Sequence, residues 1–316
     1  MTANSILITG ATGFVGRELV PTLHQMGHNV VAAVRTASAV LPLGVKGLVV
    51  GEISADTDWR KAVTGVDSIV HLAARVHVLK DASHDPLAAF REINVIATLN
   101  LARSASEAGV RRFVFISSIG VNGAVSRQQP FTAEDRAAPY SPYAISKFEA
   151  ELELQALASK TGMEVVVIRP PLVYGPNAPG NFGSLMRWLQ RGVPLPLGAI
   201  HNRRSFVAIT NLVDLIAVCL THTAAANQIF LVSDGEDIST TQLLRRMGQA
   251  MGRPARLIPV HAGLINFVAT IIGKKDVAQR LCGSLQVDIE KTQRLLGWSA
   301  PLTLGQGLKK AAMVLT

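Results

Sequence analysis

The sequence predicts an α/β protein built on a doubly wound parallel sheet, followed by a smaller C-terminal α/β lobe. Three observations carry this prediction. Short β-branched runs alternate with longer helical patterns through the first half of the chain, these runs are continuously apolar, and a glycine-rich turn joins the first run to the first helical pattern. The 316 residues, of which 48% are hydrophobic, suffice for such a sheet with a second lobe.

The elements follow one another in strict strand and helix alternation. The predicted strands are Ile6–Thr9, Asn29–Val34, Val45–Val50, Ser68–Leu72, Phe113–Ile116 and Val165–Arg169, and the predicted helices include Phe14–Met26, Pro86–Ala108 and Pro142–Lys160. Strands that are apolar on both faces are covered by helices on both faces, with right-handed crossovers between parallel neighbours.

The rhythm changes after Gly175. A stretch rich in Gly, Pro and Asn, residues 175–183, leads into short helices and isolated strands such as Gln228–Val232. We therefore predict a sheet domain over residues 1–175 and a smaller lobe over residues 176–316, with part of residues 205–232 returning to the first domain.

The charge of the chain favours a small phosphorylated ligand over a nucleic acid. The 31 Lys and Arg residues exceed the 22 Asp and Glu residues, yet no basic run is longer than two residues. The apolar stretch Gly263–Ile272 is about half the ~20 residues that span a bilayer, so we expect a core or surface-seeking helix and no stable membrane insertion. Because Met1–Ser5 lacks a basic segment, we expect a cytoplasmic protein.

The glycine-rich turn, 10-GATGFVG-16, has the composition of a diphosphate site. Gly10, Gly13 and Gly16 permit a tight turn, close approach of the backbone to a phosphate and close packing of helix on strand. The helix that follows offers unpaired N–H groups at its N-terminus. The turn therefore predicts a Rossmann-type site for a dinucleotide.

The end of the second predicted strand indicates which dinucleotide is preferred. An NAD site normally has a carboxylate there for the adenosine ribose, but this chain has Val34 followed by Arg35. A guanidinium would pair with a 2′-phosphate. We therefore expect NADP(H) to be preferred, with NAD(H) possible.

A tyrosine and a lysine four residues apart form the clearest chemical signal, in 141-SPYAISK-147. Ser141 can cap a helix and Pro142 suits its first turn, which places Tyr143 and Lys147 on one face. An ammonium group near a phenol favours the phenolate, so we expect Lys147 to lower the pKa of Tyr143 from ~10. Tyr143 is then a candidate proton donor and acceptor.

Six motifs in this order resemble those of the extended short-chain dehydrogenase/reductase family, the group of nucleotide-sugar epimerases, dehydratases and reductases. They are 10-GATGFVG-16, 67-DSIVHLAA-74, Asn94, 113-FVFISSIGVNG-123, 143-YAISK-147 and 169-RPPLVYGP-176. The resemblance implies that Ser118 hydrogen-bonds the reacting oxygen, Tyr143 is the acid and base, and Lys147 is the partner of the phenol and a ribose ligand. Ser117 is an adjacent alternative to Ser118.

The resemblance also implies a set of cofactor contacts. Besides Arg35, Tyr143 and Lys147, they are Gly10, Thr12, Gly13, Phe14, Val15, Gly16, Glu52, Ile53, Leu72, Ala73, Ala74, Asn94, Ser117, Pro170 and Val173.

The second lobe is implied to hold the nucleotide diphosphate of a UDP- or dTDP-sugar. Arg204, which begins a stretch similar to an arginine-led strand of the family, would pair with the diphosphate. Arg280 and Asn181 are further candidates, and Ser118 contacts the sugar. The histidines show no ligand spacing, and His71 in an apolar strand is interpreted as a core imidazole, so no metal is expected.

Two departures from the epimerases of the family favour a reductase. Their RYFNVYGP motif is RPPLVYGP here, which places Leu172 at the position of an asparagine, and Val34 replaces the ribose-binding acid. The resemblance therefore implies NADPH-dependent reduction of a UDP-2-acetamido-2,6-dideoxy-4-hexulose to UDP-N-acetylfucosamine or UDP-N-acetylquinovosamine for surface polysaccharide such as O-antigen. The alternatives are an NAD-dependent UDP-hexose or UDP-N-acetylhexosamine 4-epimerase and a non-catalytic dinucleotide sensor. A homodimer is expected.

Overall fold

The computed structural model describes residues 4–76 and 85–313, which form one large parallel sheet, a two-stranded sheet and twelve α-helices. The strands are β1 (Ser5–Thr9), β2 (Asn29–Val34), β3 (Lys46–Val49), β4 (Ser68–His71), β5 (Arg112–Ile116), β6 (Glu164–Arg169), β7 (Leu172–Tyr174), β8 (Phe206–Ala208) and β9 (Ile229–Leu231). The helices are α1 (Gly16–Gln25), α2 (Arg60–Val63), α3 (Pro86–Arg91), α4 (Thr98–Glu107), α5 (Pro142–Thr161), α6 (Gly180–Gln190), α7 (Ile209–Thr221), α8 (Thr240–Ala250), α9 (Ala262–Ile271), α10 (Lys275–Cys282), α11 (Glu290–Leu296) and α12 (Leu304–Ala312).

The large sheet has the Rossmann-type order that the glycine-rich turn predicts. Its seven parallel strands run β3-β2-β1-β4-β5-β6-β9. Leu7 of β1 lies between Val31 of β2 and Ile69 of β4. The chain reverses its direction of progress between β1 and β4, and the carboxyl ends of these two strands therefore border the crevice where such sheets bind ligands.

Buried residues from helices cover both faces of this sheet. Helices α1 and α7 supply Leu19 and Leu212 to the core on one face, and α4 and α5 supply Ala102 and Leu154 to the core on the other. A third core joins α6, α8 and α12 beside the two-stranded sheet of β7 and β8. Within the described part of the chain, none of the helices has the length and apolar character needed to cross a bilayer.

The predicted strand Gln228–Val232 lies in the large sheet and not in the second lobe. The sequence places Gln228–Val232 among the isolated strands of the second lobe, but β9 pairs with β6, with Val167 opposite Ile229. Phe230 is fully buried in the core under α7. The strand is apolar because it completes the edge of the large sheet, as the expected return of residues 205–232 requires.

The predicted helix Pro86–Ala108 is three segments. Helix α3 is followed by a π-helical segment, Glu92–Ala97, and then by α4. The first helix also begins later than expected, at Gly16 and not at Phe14, because Gly13–Val15 complete the turn that precedes it.

Candidate active site

The glycine-rich turn lies at the crevice between β1 and β4. Gly10 has a φ of +66°, and a Cβ there would lie 2.8 Å from the backbone nitrogen of Ala73. A Cβ on Gly16 would overlap the carbonyl oxygen of Gly10 and lie 2.6 Å from that of Ala11. Both glycines are thus required by backbone packing alone.

Gly13 has a different environment from the other two glycines. It is exposed, and the only atom near a Cβ built on it is the Gly10 carbonyl oxygen at 3.1 Å. That same oxygen accepts a hydrogen bond of 2.9 Å from the Gly13 N–H, which closes the turn. Val15, at the N-cap of α1, gives no side-chain cap, and the N–H groups of Arg17 and Leu19 donate to the carbonyl oxygens of Gly13 and Val15. The open backbone at Gly13 and this helix terminus fit a dinucleotide diphosphate.

The other predicted cofactor contacts of this region lie in the glycine-rich turn or follow β2 and β3, at the carboxyl ends of the strands. Thr12 is exposed, and Phe14 is half-buried. Val34 is buried and Arg35 is exposed, and among the described residues Arg35 has neither a hydrogen bond nor an ion pair. Beyond β3, Glu52 is exposed, whereas Ile53 packs against the core.

The segment after β4 is fixed from below by a buried histidine. His71 Nδ1 lies 2.8 Å from Thr9 Oγ1, and its Nε2 lies 3.0 Å from Thr98 Oγ1. Thr9 Oγ1 also accepts a hydrogen bond of 3.3 Å from the Ala73 N–H. Burial, together with the charge of Lys147, lowers the pKa of His71 to about 3, so the imidazole is neutral. Leu72, Ala73 and Ala74 are therefore held at the crevice by a satisfied core network.

Asn94, in the π-helical segment, connects this edge to α5. Its Oδ1 accepts from the Arg75 N–H at 2.8 Å, and its Nδ2 donates to the Arg75 carbonyl at 3.1 Å and to Ser146 Oγ at 3.0 Å. Ser146 lies between Tyr143 and Lys147 in the sequence. The extra residue of a π-helical turn aims Asn94 at both segments, and such turns are frequent at functional sites.

Helix α5 carries the tyrosine and the lysine as the sequence predicts. Ser141 Oγ accepts from the Ala144 N–H at 3.2 Å, and Pro142 occupies the first turn. Tyr143 is half-buried with its ring edge against Phe90. Lys147 is 2% exposed, and its Nζ lies 4.0 Å from the centre of the Phe115 ring.

The pKa of Tyr143 shifts in the direction opposite to the one that the sequence predicts. Burial raises the pKa of Tyr143 to about 12, and burial lowers the pKa of Lys147 to about 7 against an opposing effect of Glu151. The expected lowering of the Tyr143 pKa by Lys147 is absent because desolvation penalises both charged forms. The Tyr143 phenol is therefore protonated at neutral pH, whereas the charged and neutral forms of Lys147 are both populated there.

The two adjacent serines have different environments. Ser117 is 4% exposed, and its hydroxyl donates to the Glu151 carboxylate. Ser118 is half-buried, and its Oγ accepts from the Gly120 N–H at 3.1 Å. A Cβ built on Gly120 would lie 3.3 Å from both Ser118 Oγ and Ala144 Cβ, which places Ser118 beside the first turn of α5. This geometry favours Ser118 as the hydroxyl available to a substrate.

A buried ion pair under the serines was not found by sequence reasoning. Arg169 Nη2 lies 2.5 Å from Glu151 Oε2, and Arg169 Nη1 donates to Asn122 Oδ1 at 3.0 Å. The signal was present, because Glu151 follows Lys147 by four residues on α5 and Arg169 ends an apolar strand. Pro170, the next residue, accepts the Ile119 N–H at 3.0 Å, and Val173 lies in β7.

Of the four candidate substrate residues, Arg204 is joined to the residue that follows α10, the helix that carries Arg280. Arg204 Nη1 donates to the Gly283 carbonyl at 2.9 Å. Burial lowers the pKa of Arg204, the Tyr140 side chain raises it, and the like charge of Arg280 lowers it further. Two guanidinium groups on neighbouring segments are suited to an anionic ligand. Asn181 is exposed in the first turn of α6, and no hydrogen bond joins it to this pair in the described ranges.

Residues that could hold a metal are not grouped in the part of the chain that the structure describes. No set of three His, Cys, Asp or Glu side chains comes together there.

Comparison with known proteins identifies the class of protein to which this arrangement corresponds. The family model described as "NAD dependent epimerase/dehydratase family" matches residues 6–233. A UDP-glucose 4-epimerase of Vibrio cholerae is 47% identical over 98% of this chain and 94% of its own length. An N-acetyl-alpha-D-glucosaminyl-diphospho-ditrans,octacis-undecaprenol 4-epimerase of Escherichia coli O157:H7 is 27% identical over 97% of this chain and 94% of its own.

A solved structure agrees in fold at lower identity. The UDP-N-acetylglucosamine 4-epimerase of Bacillus cereus superposes with a TM-score of 0.80 at 19% identity, covering 99% of both chains.

Proposed function

Because the chain belongs to the NAD dependent epimerase/dehydratase family, we propose that it is a 4-epimerase of UDP-hexoses or UDP-N-acetylhexosamines. The observation that carries the proposal is the position of Tyr143 and Lys147 on α5, beside Ser118 and the dinucleotide crevice. The 47% identity to a UDP-glucose 4-epimerase supports epimerisation better than the reductase that the sequence analysis favoured.

The side chains of the site suit proton transfer at a sugar hydroxyl. Ser118 and Tyr143 would hydrogen-bond the oxygen at carbon 4. As that carbon is oxidised, its hydroxyl proton would pass to Tyr143 while the phenol gives its own proton to neutral Lys147, and both protons would return on reduction. Lys147, with a pKa of about 7, is able to take up and return that second proton. A nicotinamide dinucleotide bound between Gly13 and Arg35 would supply the hydride acceptor and donor.

The diphosphate of the substrate would lie at Arg204 and Arg280. Arg204 is fixed by its hydrogen bond to Gly283, which follows the helix that carries Arg280, so an anion bound there would have two cationic side chains near it. The nucleotide is a UDP group in the proposal, because a relative that is 47% identical to this chain is named for a UDP-sugar.

A 4-keto reductase is a second candidate, and two residues favour it. Val34 is buried where a ribose-binding acid is usual, and Leu172 occupies the position of the epimerases' asparagine. The product would then be UDP-N-acetylfucosamine or UDP-N-acetylquinovosamine, as the sequence analysis expects. A reductase releases its oxidised cofactor each turnover, whereas an epimerase retains it.

Stoichiometry separates the two activities. The purified protein is given UDP-glucose or UDP-N-acetylglucosamine without added cofactor, and separately a UDP-4-keto-6-deoxy-N-acetylhexosamine with NADPH. We expect interconversion with the 4-epimer and no net change in nicotinamide absorbance. Loss of reduced nicotinamide matching product one for one, with no epimerisation, would establish the reductase instead. Tyr143→Phe, which should lower either rate by ~10²–10⁴-fold, controls for a contaminating enzyme.

The cofactor preference for NADP(H) is a separate proposal that depends on Arg35. The exposed Arg35 guanidinium at the end of β2, which has no partner among residues 4–76 and 85–313, is suited to a 2′-phosphate, a contact worth about 10- to 150-fold in affinity. Titration calorimetry of NADPH and NADH against the wild type and Arg35→Ala should show that only NADPH binding weakens. Equal affinities in both proteins would exclude the preference.

A homodimer is also proposed, and apolar side chains on adjacent helical segments support it. Ile96 of the π-helical segment is 46% exposed, and Leu152 of α5 is 49% exposed. Light scattering of the wild type and of Leu152→Glu, which should shift the mass toward a monomer, tests the assembly.

A further inference from the structure

Helix α9 presents its apolar side chains to solvent. Within Ala262–Ile271 only Ala269 is buried, while Leu264, Phe267 and Ile271 are 56%, 64% and 69% exposed. Seven of the eighteen exposed large apolar side chains in the described ranges lie between Ile258 and Val277. This concentration far exceeds the single exposed apolar residues that are normal on a protein surface.

The exposed apolar residues of α9 form one stripe. Leu264, Phe267 and Ile271 follow each other at spacings of three and four, and this stripe lies opposite Ala269, which faces the protein. A helix that only covers a core has the reverse arrangement. The stripe is therefore available to an apolar partner outside the described chain.

The residues around the stripe are cationic. Between residues 253 and 287 a single carboxylate, Asp276, accompanies five basic side chains. They are Arg253, Arg256, Lys274, Lys275 and Arg280. Lys274 and Lys275 follow α9 directly, and both are exposed. A partner that is complementary to this surface has an apolar region for the stripe and negative charges for the basic side chains around it.

We propose that α9 with Lys274 and Lys275 is a docking surface for an anionic lipid bilayer, on which the helix lies in the plane of the membrane. Ten residues of helix span about 15 Å, half of a bilayer core, so the surface can enter only the interfacial region. A symmetric contact with a second copy fits less well, because it would bring the two basic flanks together with few carboxylates to pair them.

The apolar stripe does not line the neighbouring cavity, although Lys275 of the docking surface does. A cavity of about 370 Å³ between α9 and α10 is lined by Asn266, Thr270, Lys275, Gln279, Cys282 and Gly283. Asn266 and Thr270 lie on the polar flank of α9, not on the stripe. Gly283 is the residue whose carbonyl accepts from Arg204. Substitutions on the stripe should therefore not alter turnover of a soluble sugar nucleotide, and the inference stands independently of the proposed function.

Vesicle flotation tests the surface directly. We expect the full-length protein to float with vesicles of equal parts phosphatidylglycerol and phosphatidylcholine and not with phosphatidylcholine alone. The double variant Phe267→Ser with Ile271→Ser should bind at least about tenfold more weakly. Lys274→Gln with Lys275→Gln should lose the preference for the anionic lipid. Leu43→Ser, at a site 98% exposed outside this surface, is the matched control and should bind as the wild type.

A second measurement does not depend on a loss of binding. The fluorescence of the tryptophan introduced by Phe267→Trp should be quenched by brominated acyl chains in the same vesicles, and that introduced by Leu43→Trp should not. The proposal is wrong if the wild type does not float with the anionic vesicles, if the stripe variant floats equally well, or if the Phe267→Trp variant shows no quenching. The proposal is also wrong if the wild type is a dimer that does not bind the vesicles and light scattering shows the stripe variant to be a monomer. A second copy of the chain would then cover the stripe of α9.

Discussion

A buried Glu151–Arg169 ion pair distinguishes the environments of the two serines. Both side chains are nearly inaccessible, and Asn122 and Ser117 supply further hydrogen bonds to the pair. A buried ion pair persists only where such partners satisfy it. The Ser117 hydroxyl is thus held in the interior, and the Ser118 hydroxyl is the one that we propose for the substrate.

The two serines should respond differently to alanine. Ser117→Ala removes one hydrogen bond from the Glu151 carboxylate and should lower the free energy of unfolding by about 1.5–3 kcal/mol, with kcat close to the wild-type value. Ser118→Ala should lower kcat by about 10²-fold with a smaller loss of stability. Steady-state kinetics paired with urea unfolding measures both effects. A larger loss of kcat in Ser117→Ala would reverse the assignment.

The neutral state of His71 links stability to pH. The pKa of His71 is about 3 in the folded protein and 6.5 in the unfolded chain. Between these values the unfolded chain binds a proton that the folded protein does not, so stability falls as the pH falls. The slope from this one group is at most about 1.4 kcal/mol per pH unit.

His71→Gln should reduce that slope, since the amide keeps a donor and an acceptor for Thr9 and Thr98 but does not titrate. Urea unfolding of both proteins between pH 7 and pH 4 gives the difference. Parallel stability curves for the two proteins would show that His71 is not the group responsible.

The arrangement of the site residues was predictable from the sequence only where the spacing of residues along one helix determines it. The sequence places Tyr143 and Lys147 together because four residues make one helical turn. It gives the wrong direction for the Tyr143 pKa, since the degree of burial depends on residues distant in sequence, such as Phe90. The choice between Ser117 and Ser118 likewise depends on Glu151, which is 34 residues away.

At the scale of elements, two glycines of the turn between β1 and α1 have different proposed roles, one in folding and the other in binding the dinucleotide. Gly16 is required by the backbone of Gly10 and Ala11, whereas Gly13 faces solvent. Substitution at these two positions should therefore have different consequences, although both are glycines of one motif.

Gly16→Ala should prevent stable folding or lower the unfolding midpoint strongly, because its Cβ overlaps two carbonyl oxygens. Gly13→Ala should fold with a loss below about 1 kcal/mol, yet bind the dinucleotide at least tenfold more weakly, since the methyl group occupies the phosphate approach. Circular dichroism melting and titration calorimetry distinguish the two. Undiminished dinucleotide affinity in Gly13→Ala would place the diphosphate elsewhere.

The parallel elements of the first half were predictable because each carries its own periodic signal. The π-helical segment was not, because its extra residue is stabilised by the hydrogen bonds of Asn94 to Arg75 and Ser146, which are tertiary contacts. The short strands β7 and β8 were also missed as a pair, since three residues each give no periodicity.

For the whole molecule, the large sheet is completed by residues that follow the second sheet in the chain. Strand β9 adds to β6, and α7 contributes Leu212, Leu215 and Ile216 to the core on one face. A boundary at residue 175 therefore cuts the chain between lobes but removes part of the first lobe's own core.

A fragment of residues 1–175 should consequently aggregate, because the edge of β6 and the face under α7 are exposed. A fragment of residues 1–233 retains both elements and should show more native-like secondary structure and a cooperative thermal transition. Far-UV circular dichroism and analytical ultracentrifugation compare them. A soluble, cooperatively folding 1–175 fragment would show that β9 and α7 are dispensable.

The place of β9 has a consequence during synthesis on the ribosome. The nascent chain emerges in sequence order, so β6 stays unpaired on one side until Leu231 has left the exit tunnel, and α6 and β8 emerge in the interval. The nascent protein therefore carries an open strand edge while some sixty further residues are translated, from Arg169 to Leu231. Chaperone demand should be greatest in that window, and a translational pause placed there should favour entanglement between neighbouring chains on a polysome.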